Sequence, residues 1–343
     1  MAETVRAAVL RRANELVYEE RPAPMPGPGE VAVAVEHCGV CGSDVHYYLD
    51  GRIGDMVVES PLVLGHEFAG TVATVGEGVA GLEVGQAVAV QPGVPCGICR
   101  LCRAGRYNLC PDVSFAGTPP VDGAFTDLFV TAADFVYPLP EGLTTEDGAL
   151  VEPLSCGVHA VERAGVSLGD QVAILGSGPI GLMVSVACQA AGATVALATD
   201  LVDARLRMAQ EMGAELILNA TDADPVAAMT GAWLDVVFDC AGALETPQQG
   251  VDMVRPGGLV QIVGFPRGEA VPIDMANAVR KELTLNTMLR FVNNVPTALG
   301  LLEREVARLR KLVTHRFPFE EIEQAFGLVD ERADGVVKAM IVL

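Results

Sequence analysis

Cys41, the pair His66-Glu67 within Leu64-Gly65-His66-Glu67, and Glu152 are the side-chain types that bind Zn²⁺. Three protein ligands of these types leave a coordination position open for water or substrate, which is the arrangement of a catalytic site. Taken singly, each residue also has a plain reading: His66 as a buried ring bonded to backbone, Glu67 as a surface charge, and Glu152 as a dipole-stabilising residue at a helix start. A second set is Cys96, Cys99, Cys102 and Cys110, spaced C-x₂-C-x₂-C-x₇-C. Four thiolates on one short lobe close a tetrahedral zinc site with no position left for chemistry, so this zinc is structural. A ferredoxin-type iron–sulfur run has a third spacer of three residues before its final Cys-Pro. The spacer here is seven, although Pro111 does follow, and the spacing favours zinc. Cys38 and Cys41 form a C-x-x-C. A redox pair would need a βαβ context that is missing here. The remaining readings are two ligands, or Cys41 alone with Cys38 packed as a small apolar residue, and the last is expected.

Gly176-Ser177-Gly178-Pro179-Ile180-Gly181 is a G-x-G-x-x-G turn. The motif is weak alone, but it follows an apolar stretch over 171–176 and opens an apolar helix that runs to Ala191. Asp200 ends the next strand pattern, over 194–199. Gly176, Gly178 and Gly181 let backbone approach a pyrophosphate, and the helix start with Pro179 and Ile180 stabilises it. Asp200 would bond a ribose 2′-hydroxyl and repel the extra phosphate of NADP, which points to NAD. Arg205 packs on the adenine or pairs with an acid, with accommodation of a 2′-phosphate as the other reading.

These groups need elements to hold them. Residues 5–10 read as a strand. A turn-rich connection with six prolines and glycines from Pro22 to Gly29 follows, and residues 30–35 alternate with period two as a half-buried strand does. Strand patterns over 68–76, 86–90, 124–130 and 135–139 suggest a partly open barrel, with 114–120 as loop. A helix starts near Glu152, where Pro153 fits the first turn. From Leu168 onward the pattern changes to alternating strands and helices: a helix over 203–212 and strands over 215–219, 234–239 and 259–264. That alternation predicts a doubly wound parallel sheet, and an α/β fold of two domains. After Asn294, Val295, Ala298, Leu299, Leu302, Val306, Leu309 and Val313 share one helical face, and residues 335–342 read as a last strand.

The chain has 343 residues, enough for two domains, and half are hydrophobic. No apolar run reaches the roughly 18 residues of a membrane span, which predicts no membrane partner. The start lacks a signal-peptide pattern, so a cytoplasmic protein is expected. The net charge of −21 argues against nucleic acid as a partner. Nine cysteines, an odd number, argue against disulfides in that compartment.

With these motifs the chain resembles the zinc-dependent medium-chain dehydrogenases, and among them the polyol (sorbitol and xylitol) dehydrogenases. The resemblance rests on Cys41-Gly42-Ser43-Asp44-Val45-His46, Gly51-Arg52-Ile53-Gly54-Asp55, Val63-Leu64-Gly65-His66-Glu67, Gly105-Arg106-Tyr107-Asn108-Leu109, Ala149-Leu150-Val151-Glu152-Pro153-Leu154-Ser155, Thr199-Asp200-Leu201, Arg290-Phe291 and Thr314-His315-Arg316-Phe317-Pro318. It implies a GroES-like catalytic domain over 1–153 and 290–343, with the zinc lobe near 93–112, and a Rossmann NAD domain over 154–289. It implies catalytic zinc on Cys41, His66 and Glu67, with Glu152 bonding the metal's water or replacing a ligand. By the same resemblance Ser43 and His46 relay a proton to solvent. Tyr47, Thr118, Glu152 and Arg290 bond the polyol, and Ile53 and Phe115 form walls. Read singly, Ser43 is a turn hydroxyl, His46 a surface ring and Arg290 a salt-bridge partner. The four-cysteine lobe is more like bacterial and fungal members than mammalian ones. The implied reaction is oxidation of a secondary hydroxyl to a ketose by a homotetramer. The rival readings are a threonine or simple secondary-alcohol dehydrogenase, and an NAD-binding protein without catalysis.

Overall fold

The alternating stretch that begins at Glu30 folds as the strand Glu30–Gly39, in a seven-stranded sheet. The computed structural model describes residues 3–265 and 270–343. It divides into one unit of Met1–Glu152 with Leu302–Leu343, and a second of Pro153–Leu301.

In the first unit the sheet runs Val136–Pro138, Ala87–Val90, Glu67–Val75, Glu30–Gly39, Lys338–Val342, Val313–Pro318, with Leu128–Ala132 also paired to Glu30–Gly39. All its pairs are antiparallel except the last two strands of that path. Val31, Val33, Val35, Phe68 and Val72 bury against Phe125, Phe319 and Phe326 in one core. Register matters here, because a one-residue slip would turn every side chain to the other face. Gly39 lies opposite Glu67 and also pairs with Met340, which brings two strand ends against the middle of a third strand.

Several boundaries differ from the sequence pattern; the strand expected over 259–264, for one, is Val254–Ile262. The strand expected over 124–130 is Leu128–Ala132. Ala124 and Phe125 instead donate to the Gly65 and Leu64 carbonyls, and so hold the Leu64-Gly65-His66-Glu67 segment. The last strand begins at Lys338 because Ala333–Gly335 form a 3₁₀ turn, with Asp334 at φ 48°.

The C-terminal part of this unit is tied to its short helix Thr145–Gly148 by a buried carboxylate. Asp147 accepts from Thr144 N and Oγ1 and from Arg310 Nε and Nη2, each at 2.8 Å. Burial would raise the Asp147 carboxyl, but Arg310 and the Thr144 donors outweigh it and hold it below its ordinary value. A depressed folded pKa stabilises above the ordinary carboxylate range and is lost as pH falls through the folded value. Asp147→Ala should therefore cost about 1–3 kcal/mol near neutrality, where Arg310 remains half-solvated. It should also flatten the loss of stability below about pH 4. Denaturant melts at several pH values measure both, and an unchanged acid limb would remove Asp147 from this role.

The second unit carries six parallel strands in the order Leu216–Asn219, Thr194–Asp200, Gln171–Leu175, Leu234–Asp239, Val254–Ile262, Thr284–Thr287. This is the doubly wound order, and its crevice lies between Gln171–Leu175 and Leu234–Asp239, where the winding reverses. The helix Pro179–Ala190 follows the first of these strands, with Gly178 as N-cap and Pro179 at its first position. The helix Val295–Leu309 buries Val295, Ala298, Leu299, Leu302 and Leu309, as its periodicity predicts, but Val306 is half-buried and Val313 lies beyond the helix, where it opens the strand Val313–Pro318. Among the described residues no helix is long and apolar enough to cross a membrane.

Candidate active site

Cys41 is the N-cap of the helix Gly42–Asp50, and Asp44 stands at the third helical position. The Asp44 carboxylate accepts from Cys41 N at 2.9 Å and from Gly65 N at 3.0 Å, and its Oδ1 lies 3.5 Å from His66 Nδ1. One buried acid thus fixes both segments that carry ligand types. Gly65 has φ 92°, and a Cβ there would fall 3.0 Å from Cys38 Sγ and from the Phe125 ring, so the turn before His66 needs glycine. Glu67 opens its strand opposite Gly39. As a result ligand atoms of Cys41, His66 and Glu67 lie within 4.8 Å of one another.

The donor set fits a divalent cation. It offers a sulfur, an imidazole nitrogen and a carboxylate oxygen, as zinc sites do. His66 Nδ1 is buried without a well-formed hydrogen bond. Burial alone would lower the His66 imidazole, yet Asp44 and Cys41 push it well above its ordinary value. The surroundings therefore favour positive charge at this point. Cys38, fully buried and with its thiol raised by that burial, lies outside the group.

Lys338 is a part of the site with no role in the sequence reading. It is 2% exposed, its ammonium pairs with the Glu67 carboxylate, and Nζ donates to Val40 O at 3.0 Å. A Cβ on Gly39 would fall 2.3 Å from Glu67 Oε2 and 2.8 Å from Lys338 Cε, so the bare backbone makes room for the pair. The available signal was a single lysine in the apolar run Val336-Val337-Lys338-Ala339-Met340-Ile341. Glu152, in the helix Val151–Ala164, is 7% exposed and stands outside the three-donor group. Burial is the main cause that brings its carboxyl to about 7; Glu67 and Asp44 raise it further, while His66 and Lys338 oppose them.

The helix Gly42–Asp50 also carries Ser43 and His46, three positions apart on one face. His46 Nδ1 lies 3.5 Å from Asp50 Oδ2. Tyr47 is buried, with its hydroxyl 3.7 Å from Met56 Sδ, and Ile53 is half-buried in the two-residue strand Arg52–Ile53. Phe115 is buried with its ring 5.7 Å from that of His66. It belongs to a short strand, Ser114–Phe115, that pairs with Gly93–Val94, where loop was expected. Thr118 is half-buried and donates its N–H to Phe115 O at 3.1 Å. Arg290 lies in the unit Pro153–Leu301, half-buried, at φ 53°.

Cys96, Cys99, Cys102 and Cys110 form the other group of ligand atoms within 4.8 Å. Their sulfur separations include 3.4 Å (Cys99–Cys102), 3.5 Å (Cys96–Cys110) and 3.9 Å (Cys96–Cys102 and Cys99–Cys110). A tetrahedron with Zn–S near 2.3 Å has edges of about 3.8 Å, so the cage suits zinc. Backbone N–H groups of Ile98 and Cys99 help draw the Cys96 thiol down to about 7.

In the second unit Gly176 has φ 95°, and a Cβ on Gly181 would fall 1.9 Å from Gly176 O. Pro179 and Ile180 open the helix beyond it. Asp200 Oδ2 accepts from Ser177 N at 2.9 Å, and Oδ1 accepts from Leu201 N and Val202 N at 2.8 and 3.0 Å. Arg205 Nη1 lies 4.0 Å from the place a Gly178 Cβ would occupy. The acid and the arginine therefore both border the glycine turn.

Known proteins combine the same parts. Residues 27–141 match the alcohol dehydrogenase GroES-like domain, and residues 179–304 match the zinc-binding dehydrogenase domain. Sorbitol dehydrogenase of Gallus gallus is 41% identical over 336 residues, 96% of this chain and 94% of that protein. Sorbitol dehydrogenase of Bacillus subtilis (strain 168) is 38% identical over 343 residues, 99% and 97% of the two chains. A crystal structure of an oxidoreductase/dehydrogenase of unknown specificity from Escherichia coli superposes with a TM-score of 0.93 at 35% identity, covering 99% of both chains. Likeness at this level over nearly the whole length, with the metal-ligand groups and the glycine turn in place, means that the chain belongs to the polyol dehydrogenase branch of the zinc-dependent medium-chain dehydrogenases.

Proposed function

We propose that the protein oxidises a secondary hydroxyl of a polyol, such as sorbitol or xylitol, to the ketose, with NAD as hydride acceptor. The observation that carries this reading is the group Cys41, His66 and Glu67 in a chain similar to sorbitol dehydrogenases along almost all its length. When bound, zinc supplies a Lewis acid and NAD takes the hydride. Cys41, His66 and Glu67 hold the metal, and Glu152, with a carboxyl near 7, holds or releases a proton beside it. Ser43 and His46 pass a proton toward solvent. Tyr47, Thr118, Glu152 and Arg290 bond the polyol hydroxyls, so that an analogue without them leaves polar groups unpaired. Ile53 and Phe115 keep water from the reacting carbon. Gly176, Gly178, Pro179, Ile180 and Gly181 receive the pyrophosphate, Asp200 the ribose and Arg205 the adenine. Cys96, Cys99, Cys102 and Cys110 hold a second zinc that shapes their lobe. On the family resemblance we place the catalytic domain at both chain ends around a coenzyme domain, in a cytoplasmic homotetramer.

The test is NADH formation on sorbitol, xylitol, galactitol and threonine, together with metal analysis. Polyols should reduce NAD, threonine should not, and about two zinc ions per chain should be found. Turnover of threonine with no polyol activity would overturn the reading, and a metal count near one would remove one of the two sites.

A further inference from the structure

Asp239 ends the strand Leu234–Asp239, on the far side of the crevice from Leu175, with which it pairs in register. It is 1% exposed. Its Oδ1 accepts three hydrogen bonds, from Ala241 N at 3.1 Å, Gly242 N at 3.3 Å and Thr246 Oγ1 at 2.8 Å. Its backbone carbonyl accepts two more, from Val263 N at 2.8 Å and Gly264 N at 2.9 Å. One residue thus ties the loops that leave two neighbouring strands.

The loops approach one another closely at their backbones. A Cβ on Gly176 would fall 2.8 Å from Ala241 N. One on Gly242 would fall 2.7 Å from Phe265 O, and one on Gly264 would fall 2.4 Å from Gly242 N. The Cys240–Gly242 turn is therefore wedged between the glycine turn and the segment after Val254–Ile262; Cys240 N donates to Leu175 O at 2.8 Å, and the Asp239 side chain, with Thr246, holds the rest of the turn. A doubly wound sheet binds one mononucleotide on each half, and the strands beyond the switch point serve the half opposite the adenine.

We propose that Asp239 is a positioning residue for the nicotinamide half of the cofactor: it fixes the turn on which that half rests, without touching the reacting atoms. This rests on the NAD reading above. Burial pushes the Asp239 carboxyl above its ordinary value, against the pull of Thr246 and the two backbone donors. Its other oxygen, Oδ2, is buried without a hydrogen bond. Hydrogen-bond geometry rather than charge is then what the turn needs, and asparagine, which keeps the accepting oxygen, should serve.

NADH and AMP titrations of the zinc-loaded enzyme test this, because AMP occupies only the adenine half. Asp239→Ala should bind NADH at least about tenfold more weakly. AMP affinity should stay within about twofold, and kcat at saturating NAD within about threefold while KM for NAD rises. Asp239→Asn should stay within about threefold of wild type for NADH. Unchanged NADH binding in Asp239→Ala, or equal loss of NADH and AMP, would overturn the proposal, the second because it marks a general scaffold role. If Asp239→Ala fails to fold, Thr246→Val decides. It should weaken NADH about threefold and leave AMP unchanged, and unaltered NADH binding overturns the proposal. A wild-type protein that binds no NADH would instead overturn the cofactor reading on which the inference stands.

Discussion

Cys41→Ala should lower kcat/KM at least about a thousandfold and reduce bound zinc from about two ions per chain to about one. The size follows from position. Cys41 is held at the helix start by Asp44, which also holds the turn before His66. Among the described residues no second thiol belongs to this group: Cys38 lies outside it and is fully buried. Losing a Lewis acid removes several kcal/mol of charge stabilisation, and each 1.4 kcal/mol is about tenfold in rate. The variant should keep its fold, since the cage at Cys96–Cys110 is a separate group. Metal analysis, circular dichroism and turnover on one polyol check the three statements together. Full activity in this variant would take Cys41 out of the site.

The second large effect is expected at Lys338. Its ammonium and the Glu67 carboxylate are almost wholly buried against each other. Removing one partner of such a pair leaves an uncompensated charge, typically at a cost of about 3–5 kcal/mol. Lys338→Met should lose stability on that scale in the zinc-free protein, and less in the zinc-loaded one, where a cation faces the same carboxylate. The double variant Lys338→Met with Glu67→Gln removes both charges and should recover most of the stability without recovering activity. Equal stability of Lys338→Met and wild type in the zinc-free state would show that the pair carries no weight.

Local context made much of this legible. The glycine turn could be read because a strand precedes it, a helix follows and Asp200 comes at the end of the next strand. The four cysteines could be read because their spacing spans one short lobe. The choice between Glu67 and Glu152 could not be made, since it depends on register across a sheet. The pairing of Gly39 with Glu67 sets the register in which Glu67 groups with Cys41 and His66. Asp44 lay within a motif, but its double hydrogen bond to Cys41 and Gly65 is a tertiary fact. Lys338 was illegible for the same reason, being 298 positions from the Val40 carbonyl it bonds. Two-residue strands such as Ser114–Phe115 are too short to show a period at all.

The way Lys338 completes the site bears on the order in which the chain can acquire its parts during synthesis. The unit Pro153–Leu301 is continuous, so all of its partners have been made once residue 301 has emerged. The other unit is split, and its central sheet lacks the strands Val313–Pro318 and Lys338–Val342 until residues 313–342 are made. Until then Glu67 has no ammonium partner, and Gly39 borders an open sheet edge of the kind that pairs with other chains. Domains fold as units, and here the unit that holds Cys41, His66 and Glu67 waits for strands made after the other unit is complete.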